Sequence, residues 1–283
     1  MNCFHQMINY LYEVLGGIGE GSQGSVVQAI SKVTDELVAI KIFDLHSKQG
    51  LTGYLNELSI YHRLSKKSPR MCQLVESVEF PTEGRGYIVM KKYQNDLFDL
   101  CFESSTLSPE TTKSIFKQIA LGVRDLHRKR IAHLDLKPEN ILIDSAGNAF
   151  ICDFGCSYYC KKSKQKCIIK RIRSLAEKEK TKLVGGLQGR GTKKYSAPEA
   201  LNNNEFDPFK ADIYSLGVIL HVLITGFYPV AGDLAFAALS IDDTCKQLLE
   251  MMMNVDPEKR NSIEQVLAHP WFGSKTFSRI WFK

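Results

Sequence analysis

The chain has 283 residues, 44% of them hydrophobic, and carries 37 Lys and Arg against 31 Asp and Glu, enough apolar material for a sizeable packed core. Its eight cysteines are scattered without tandem C-x-x-C pairs, which excludes a zinc site and a disulfide framework and predicts a reduced, intracellular protein, cytoplasmic with the nucleus as the alternative.

In chain order, residues 1–7 lack a basic region followed by a sustained apolar run, so no signal sequence is expected. Residues 19–26 follow G-x-G-x-x-G-x-V, with Gly19, Gly21 and Gly24 at places where a backbone can approach phosphates without a Cβ in the way. Ser25 to Ile30 and Leu37 to Phe43, with Asp35-Glu36 between them, read as two strands joined by a turn. A dinucleotide-binding glycine loop would lead into a helix instead, and a G-x-x-x-x-G-K-[ST] loop would need a lysine and a hydroxyl after its last glycine. Neither follows here. Val38-Ala39-Ile40-Lys41 puts a lysine in an apolar strand, where burial requires a counter-ion. Glu57 is the candidate: in residues 54–64, Leu58, Tyr61 and Leu64 recur at helical spacing and Glu57 sits beside that stripe. Tyr87 to Met90 reads as the next strand, residues 91–95 as a connector, and Leu97 onward as helix. The longest apolar stretch, Leu216 to Ile224, is interrupted by Gly217 and His221 and is far shorter than the ~20 residues a membrane span needs, so it reads as a core helix.

His133-Leu134-Asp135-Leu136-Lys137-Pro138-Glu139-Asn140 places an acid, a lysine and an amide in one loop, and Asp153-Phe154-Gly155 adds a second acid 18 residues beyond Asp135. Moving a phosphoryl group requires positioning and charge neutralisation more than covalent help, and these groups supply both. Further along stand Gly191-Thr192-Lys193-Lys194-Tyr195-Ser196-Ala197-Pro198-Glu199, then Asp212-Ile213-Tyr214-Ser215-Leu216-Gly217, then Asp256-Pro257-Glu258-Lys259-Arg260. Taken together, residues from about Tyr12 to Phe272 resemble a eukaryotic serine/threonine protein kinase, and the His269-Pro270-Trp271-Phe272 ending resembles the calcium/calmodulin type most.

That resemblance implies an α+β fold of two lobes: a small β-rich lobe with one main helix over 12–90, a hinge at 91–95, and a larger, mostly helical lobe over 96–272. It implies ATP and magnesium as cofactors and protein Ser/Thr hydroxyls as acceptors. Asp135 would accept or orient the hydroxyl proton, Lys137 would sit against the transferring phosphate, and Asn140 and Asp153 would hold the metal. Lys41, paired with Glu57, would bind the α- and β-phosphates. Gly19, Gly21, Gly24 and Val26 would cover the nucleotide, with Ala39 and Leu142 beside it. Met90 would be the gatekeeper, and hinge backbone near Lys91 and Tyr93 would read the adenine edge; an acid commonly occupies the place of Lys91. Glu199 would pair with Arg260, and Asp212 would hold the catalytic-loop backbone, both as structural anchors. Thr192 would bond the catalytic Asp and Lys.

Departures from the family pattern carry their own expectations. Leu134 stands where many relatives have an arginine that receives an activation-loop phosphate, so activity is expected to be independent of such a phosphate. The activation segment, 153–199, is long, and within it residues 161–182 hold ten Lys or Arg against Glu177 and Glu179. This window lacks aromatic interleaving and any nucleic-acid module, which argues against nucleic acid and for a solvated loop, with a docking or autoregulatory element as the second reading. Arg171-Ile172-Arg173-Ser174-Leu175 resembles a substrate of kinases that prefer arginine, so Ser174 is a candidate autophosphorylation site. Asp96 and Glu139 lie where such relatives hold the substrate guanidinium, which predicts arginine-rich protein substrates. The stretch from Pro229 to Cys245 is shorter than usual, which weakens any transfer of family docking surfaces, and the 11 residues after Phe272 leave no appended regulatory domain. A kinase-fold scaffold with little turnover is the alternative function.

Overall fold

In the computed structural model, the described residues are 8, 10–21, 24–64, 68–103, 107–161, 169–170, 192–202, 205–229 and 241–273. A five-stranded antiparallel sheet opens the fold, with β1 (Tyr12–Gly21), β2 (Gly24–Ser31), β3 (Leu37–Asp44), β4 (Leu74–Phe80) and β5 (Arg85–Lys91) in the spatial order β1-β2-β3-β5-β4. The strand pair expected after the glycine loop is β2 and β3. The glycine motif spans the end of β1 and the start of β2, with Gly21 opposite Gly24. β1 escaped the sequence reading because three of its apolar side chains, Val14, Leu15 and Ile18, are exposed and its run is interrupted by glycine.

Alternation along β3 sorts its side chains between two faces. Val38 and Ile40 join Tyr12, Ala29, Tyr87 and Val89 in a small outer cluster, while Ala39 and Phe43 belong to the main core. Lys41 shares the inner face with Ala39 and Phe43. Helix α1 (Lys48–Arg63) lies on that side, capped by Ser47, whose hydroxyl accepts from Gly50 N–H at 3.0 Å. The helix starts earlier than its apolar spacing suggests, since Gly50 and Gly53 weaken its local helical signal. Both glycines are buried, and a Cβ on Gly50 would lie 2.1 Å from the Asp44 carbonyl oxygen. The buried face is Tyr54, Glu57, Ile60 and Tyr61, so Glu57 is inside the stripe rather than beside it, and Leu58 is only half-buried.

The larger lobe contains β6 (Asn95–Asp96), α2 (Leu97–Glu103), α3 (Pro109–Arg128), β7 (Ile131–Ala132), β8 (Ile141–Ile143), β9 (Ala149–Ile151) and β10 (Tyr158–Tyr159). It continues with β11 (Ile169–Lys170), α4 (Pro198–Asn202), β12 (Glu205–Phe206), α5 (Pro208–Thr225), α6 (Asp243–Met252) and α7 (Ile263–Leu267). Asp207 caps α5 by accepting from Phe209 and Lys210 N–H, and Gly226 closes it in the left-handed conformation at φ 74°. By length and composition α5 could cross a membrane. In the fold it is buried along most of its length between α3 and α6, as the core-helix reading predicts. The basic activation-segment window beyond Lys161 is described only at Ile169–Lys170, which pairs antiparallel with Glu205–Phe206. Ser174 and most of the short stretch after Pro229 lie outside the described residues.

Candidate active site

Four stretches distant in sequence meet beneath the sheet. From β3, Lys41 Nζ donates to Glu57 Oε2 at 2.8 Å and to Asp153 Oδ1 at 2.9 Å. Glu57 is fully buried and Lys41 nearly so. Burial alone would lower the lysine's pKa, but the two carboxylates outweigh it and hold the ammonium charged well above its ordinary value. Burial pushes the Glu57 carboxyl up while Lys41 pulls against it. Asp153 falls below the usual carboxylate range: burial acts upward, but Lys41 and the hydrogen bond from Gly155 N–H at 3.2 Å prevail. Asp153 also has φ 60°, a left-handed backbone that costs a non-glycine residue about 1–3 kcal/mol and persists where neighbours over-determine it.

The second group is the loop after β7. Lys137 Nζ lies 3.2 Å from Asp135 Oδ2, and Asn140 Nδ2 donates to the Asp135 carbonyl at 2.8 Å and to its Oδ2 at 3.1 Å. Asp135 Oδ1 is buried with no hydrogen-bond partner among the described residues. Burial raises the Asp135 pKa, Asp153 adds to the rise, and Lys137 opposes it. The two groups are tied together at Cys152, whose N–H donates to the Asn140 carbonyl at 3.0 Å and whose carbonyl is 3.0 Å from His133 Nε2.

Asp212, fully buried on α5, accepts from His133 N–H and Leu134 N–H at 2.8 Å each, with His127 Nε2 2.9 Å away. It holds Leu134 at φ 64°, as expected for an anchor of this loop. Arg260 and Glu199 form a bidentate buried pair, at 2.5 and 2.8 Å.

Ala39, Met90 and Tyr93 belong to one apolar cluster with the partly buried Val26 and Leu142 packed against it, and Ala39 faces Met90 across the β3–β5 ladder. The exposed Lys91 ends β5, and its N–H donates to the Gln73 carbonyl at 3.0 Å. Residues 92–94 link β5 to β6, so the connector is shorter than the expected 91–95. Within it, Lys92 Nζ donates to the Tyr93 carbonyl at 2.5 Å. Gly19 and Gly24 prove to be glycine for different reasons. A Cβ on Gly19 would meet nothing closer than Val26 Cβ at 4.0 Å, leaving room above the site, whereas one on Gly24 would strike the Ile42 carbonyl oxygen at 1.9 Å. Gly24 therefore answers to strand packing.

Three further candidates have mixed outcomes. Asp96 is half-buried, and its Oδ1 accepts from Asp99 N–H at 2.8 Å, a helix-capping task for α2 that the sequence reading did not assign. Glu139 Oε2 is buried without a partner among the described residues. Thr192 opens a short 3-10 turn, Thr192–Lys194, and its side chain lies outside the described residues. Sequence reasoning missed Asn56, the neighbour of Glu57, whose Nδ2 reaches the carbonyls of Phe154, Gly155 and Ser157 at 3.3, 2.8 and 2.8 Å. No local pattern flags a helix asparagine as a partner of a loop 98 residues away.

These residues suit a magnesium nucleotide. Asn140 spends its donor group on Asp135, so the group left to a ligand is its hard amide oxygen. Asp153 is ionised and presents a second hard oxygen. No cluster of three or more His, Cys, Asp or Glu suited to a metal occurs among the described residues. Magnesium takes few protein ligands and completes its shell with phosphate and water.

The protein kinase domain family profile matches residues 12–272. Among curated proteins, the chain is 31% identical over 280 residues to maternal embryonic leucine zipper kinase of Danio rerio, covering 92% of this chain and 37% of that protein. It is 29% identical over 287 residues to the Xenopus laevis protein of the same name, covering 95% and 40%. It is 31% identical over 277 residues to CBL-interacting protein kinase 31 of Oryza sativa subsp. japonica, covering 92% and 57%. The chain thus spans roughly half or less of the length of these relatives. The five-stranded sheet with its helical larger lobe, the Lys41–Glu57–Asp153 alignment and the matched profile agree, and the chain belongs to the protein kinase domain family.

Proposed function

We propose that this chain is an ATP-dependent serine/threonine protein kinase. The observation that carries the reading is the paired geometry of Lys41 with Glu57 and Asp153 on one side and Asp135 with Lys137 and Asn140 on the other. Magnesium ATP, when bound, supplies the phosphoryl group and part of the charge neutralisation. Asn140 and Asp153 are the residues that would hold the metal, and Lys41 the one that would meet the inner phosphates. Asp135 offers its unpartnered Oδ1 to the proton of an incoming hydroxyl. Lys137, beside Asp135 Oδ2, keeps a positive charge where anionic oxygens would crowd. The low pKa of Asp153 and the raised pKa of Asp135 give two neighbouring acids different tasks, cation holding and proton handling.

Basic substrates fit the acidic pair. Glu139 presents a buried oxygen that lacks a partner among the described residues, and a guanidinium would satisfy it; the adjacent Asp96 carboxyl is raised by burial and by the nearby Asp99 and Glu139 charges. The scattered cysteines, among them the buried Cys72, Cys152 and Cys245, fit a reducing compartment inside the cell. A non-catalytic scaffold is less favoured, since it has no need of the Asp135–Lys137–Asn140 arrangement. The test is phosphate transfer from magnesium ATP to a basic Ser/Thr peptide, run beside Asp135→Asn. Turnover should fall ~100-fold or more in the variant; equal rates would leave only the scaffold.

A further inference from the structure

We propose that Asn56, Arg63, Tyr159 and Arg130 form a latch fastening α1 to the segment that carries Asp153, so that Lys41, Glu57 and Asp153 are aligned without a phosphate on the activation segment. This inference rests on the kinase reading and names how that same site is regulated.

The latch begins with helix geometry. Asn56 and Arg63 are seven residues apart, two turns of α1, and therefore lie on one face. That face runs along the start of the activation segment. At its first contact, the Asn56 amide has two hydrogens and three carbonyls in reach. The bonds to Gly155 and Ser157, both 2.8 Å, take one hydrogen each, and Phe154 at 3.3 Å shares one of them. These carbonyls directly follow Asp153, so the asparagine beside Glu57 fixes the backbone on which the other partner of Lys41 is mounted.

Two turns later, the Arg63 guanidinium lies 4.4 Å from the centre of the Tyr159 ring and is steadied by its own Nη1 bond to the Ser59 carbonyl at 2.7 Å. Arg130 approaches the same ring at 5.9 Å from the larger lobe. A tyrosine face is the negative end of the ring quadrupole, so one aromatic ring joins two cations that would otherwise repel. The segment is pinned on its far side as well. Tyr158 and Tyr159 pair with Ala132 and Ile131, Cys160 N–H donates to the Arg130 carbonyl at 2.9 Å, and Ser157 Oγ donates to the His133 carbonyl at 3.3 Å. Arg130 Nη1 reaches the Lys161 carbonyl at 3.4 Å, and Lys129 Nζ reaches the Arg63 carbonyl at 3.4 Å. Every link is a neutral hydrogen bond, a bond from a cation to a backbone carbonyl, or a ring contact. None needs an anion, and Leu134, the residue that precedes Asp135, offers no charge to bind one.

Asn56→Asp tests the latch because it keeps shape but turns a donor into an acceptor facing three carbonyls, and Asn56→Ala removes the group altogether. In the nucleotide-free protein, hydrogen exchange across residues 152–160 should quicken by about tenfold in both variants, the effect of losing one or two neutral hydrogen bonds, while residues 208–225 exchange as before. Turnover number should fall by a similar factor with peptide KM unchanged, since alignment rather than substrate binding is lost. Tyr159→Phe, which keeps the ring, should match the unaltered protein, and Tyr159→Leu should follow the Asn56 variants. Protein treated with a broad-specificity phosphatase should retain its turnover. Unaltered exchange in Asn56→Asp, or turnover abolished by the phosphatase, overturns the proposal. Faster exchange in the variants of a protein that transfers no phosphate in any form would instead retain the latch and reject the kinase reading.

Discussion

Asp135 owes its chemistry to its surroundings more than to its type. Burial raises its pKa, Asp153 raises it further, and Lys137 pulls it down. In its proposed role the group acts deprotonated, so turnover should be lost as pH falls through its raised pKa. Lys137→Met removes the opposing cation, and the acid limb of kcat/KM should move to higher pH. A pH–rate series on both proteins checks this, and a limb left in place or shifted downward would contradict it. Lys41 was legible as a lysine in an apolar strand and Glu57 as an acid beside a helical apolar stripe, whereas Asp135, Lys137, Asn140 and Asp153 were legible through motif spacing that resembles the protein kinase family. Asp96 was legible only as an acid; that its oxygen is engaged with Asp99 N–H depends on the turn into α2.

At the scale of elements, the glycine turn shows how one motif answers two demands. Gly19 leaves space over the site, while Gly24 permits β2 to lie against β3. A Cβ at 1.9 Å from a backbone oxygen cannot be relieved by a side-chain rotation, so the strands themselves would have to move. Gly24→Ala should destabilise the nucleotide-free protein by about 1–3 kcal/mol, the range for overpacking, measured by urea denaturation. An unchanged midpoint would show that the strand pair yields at no cost. The β2–β3 pair and the core helix α5 were readable from apolar runs and turn residues. β1 and the first turns of α1 were not, because Val14, Leu15 and Ile18 face outward and Gly50 owes its place to a close approach rather than to propensity.

At the scale of the molecule, Arg260 binds regions that no local pattern connects. It pairs with Glu199, 61 residues away, and also donates to the carbonyls of Asn254 at 2.7 Å and Lys210 at 3.0 Å. Removing one partner of a buried pair strands the other charge, so Arg260→Met should cost about 3–5 kcal/mol in equilibrium unfolding. A loss under about 1 kcal/mol would mean the pair is solvated like a surface one. The order of strands and core helices is largely written in the sequence, because spacings of 2 and 3.6 are local properties, and the family is legible in motifs spread from Tyr12 to Phe272. Which acid stays charged, which glycine serves packing and which asparagine holds the segment that carries Asp153 were decided only by tertiary structure. Those outcomes follow from burial and from partners such as Lys41 and Asp153, 112 residues apart, brought within 2.9 Å by the packing of the whole chain.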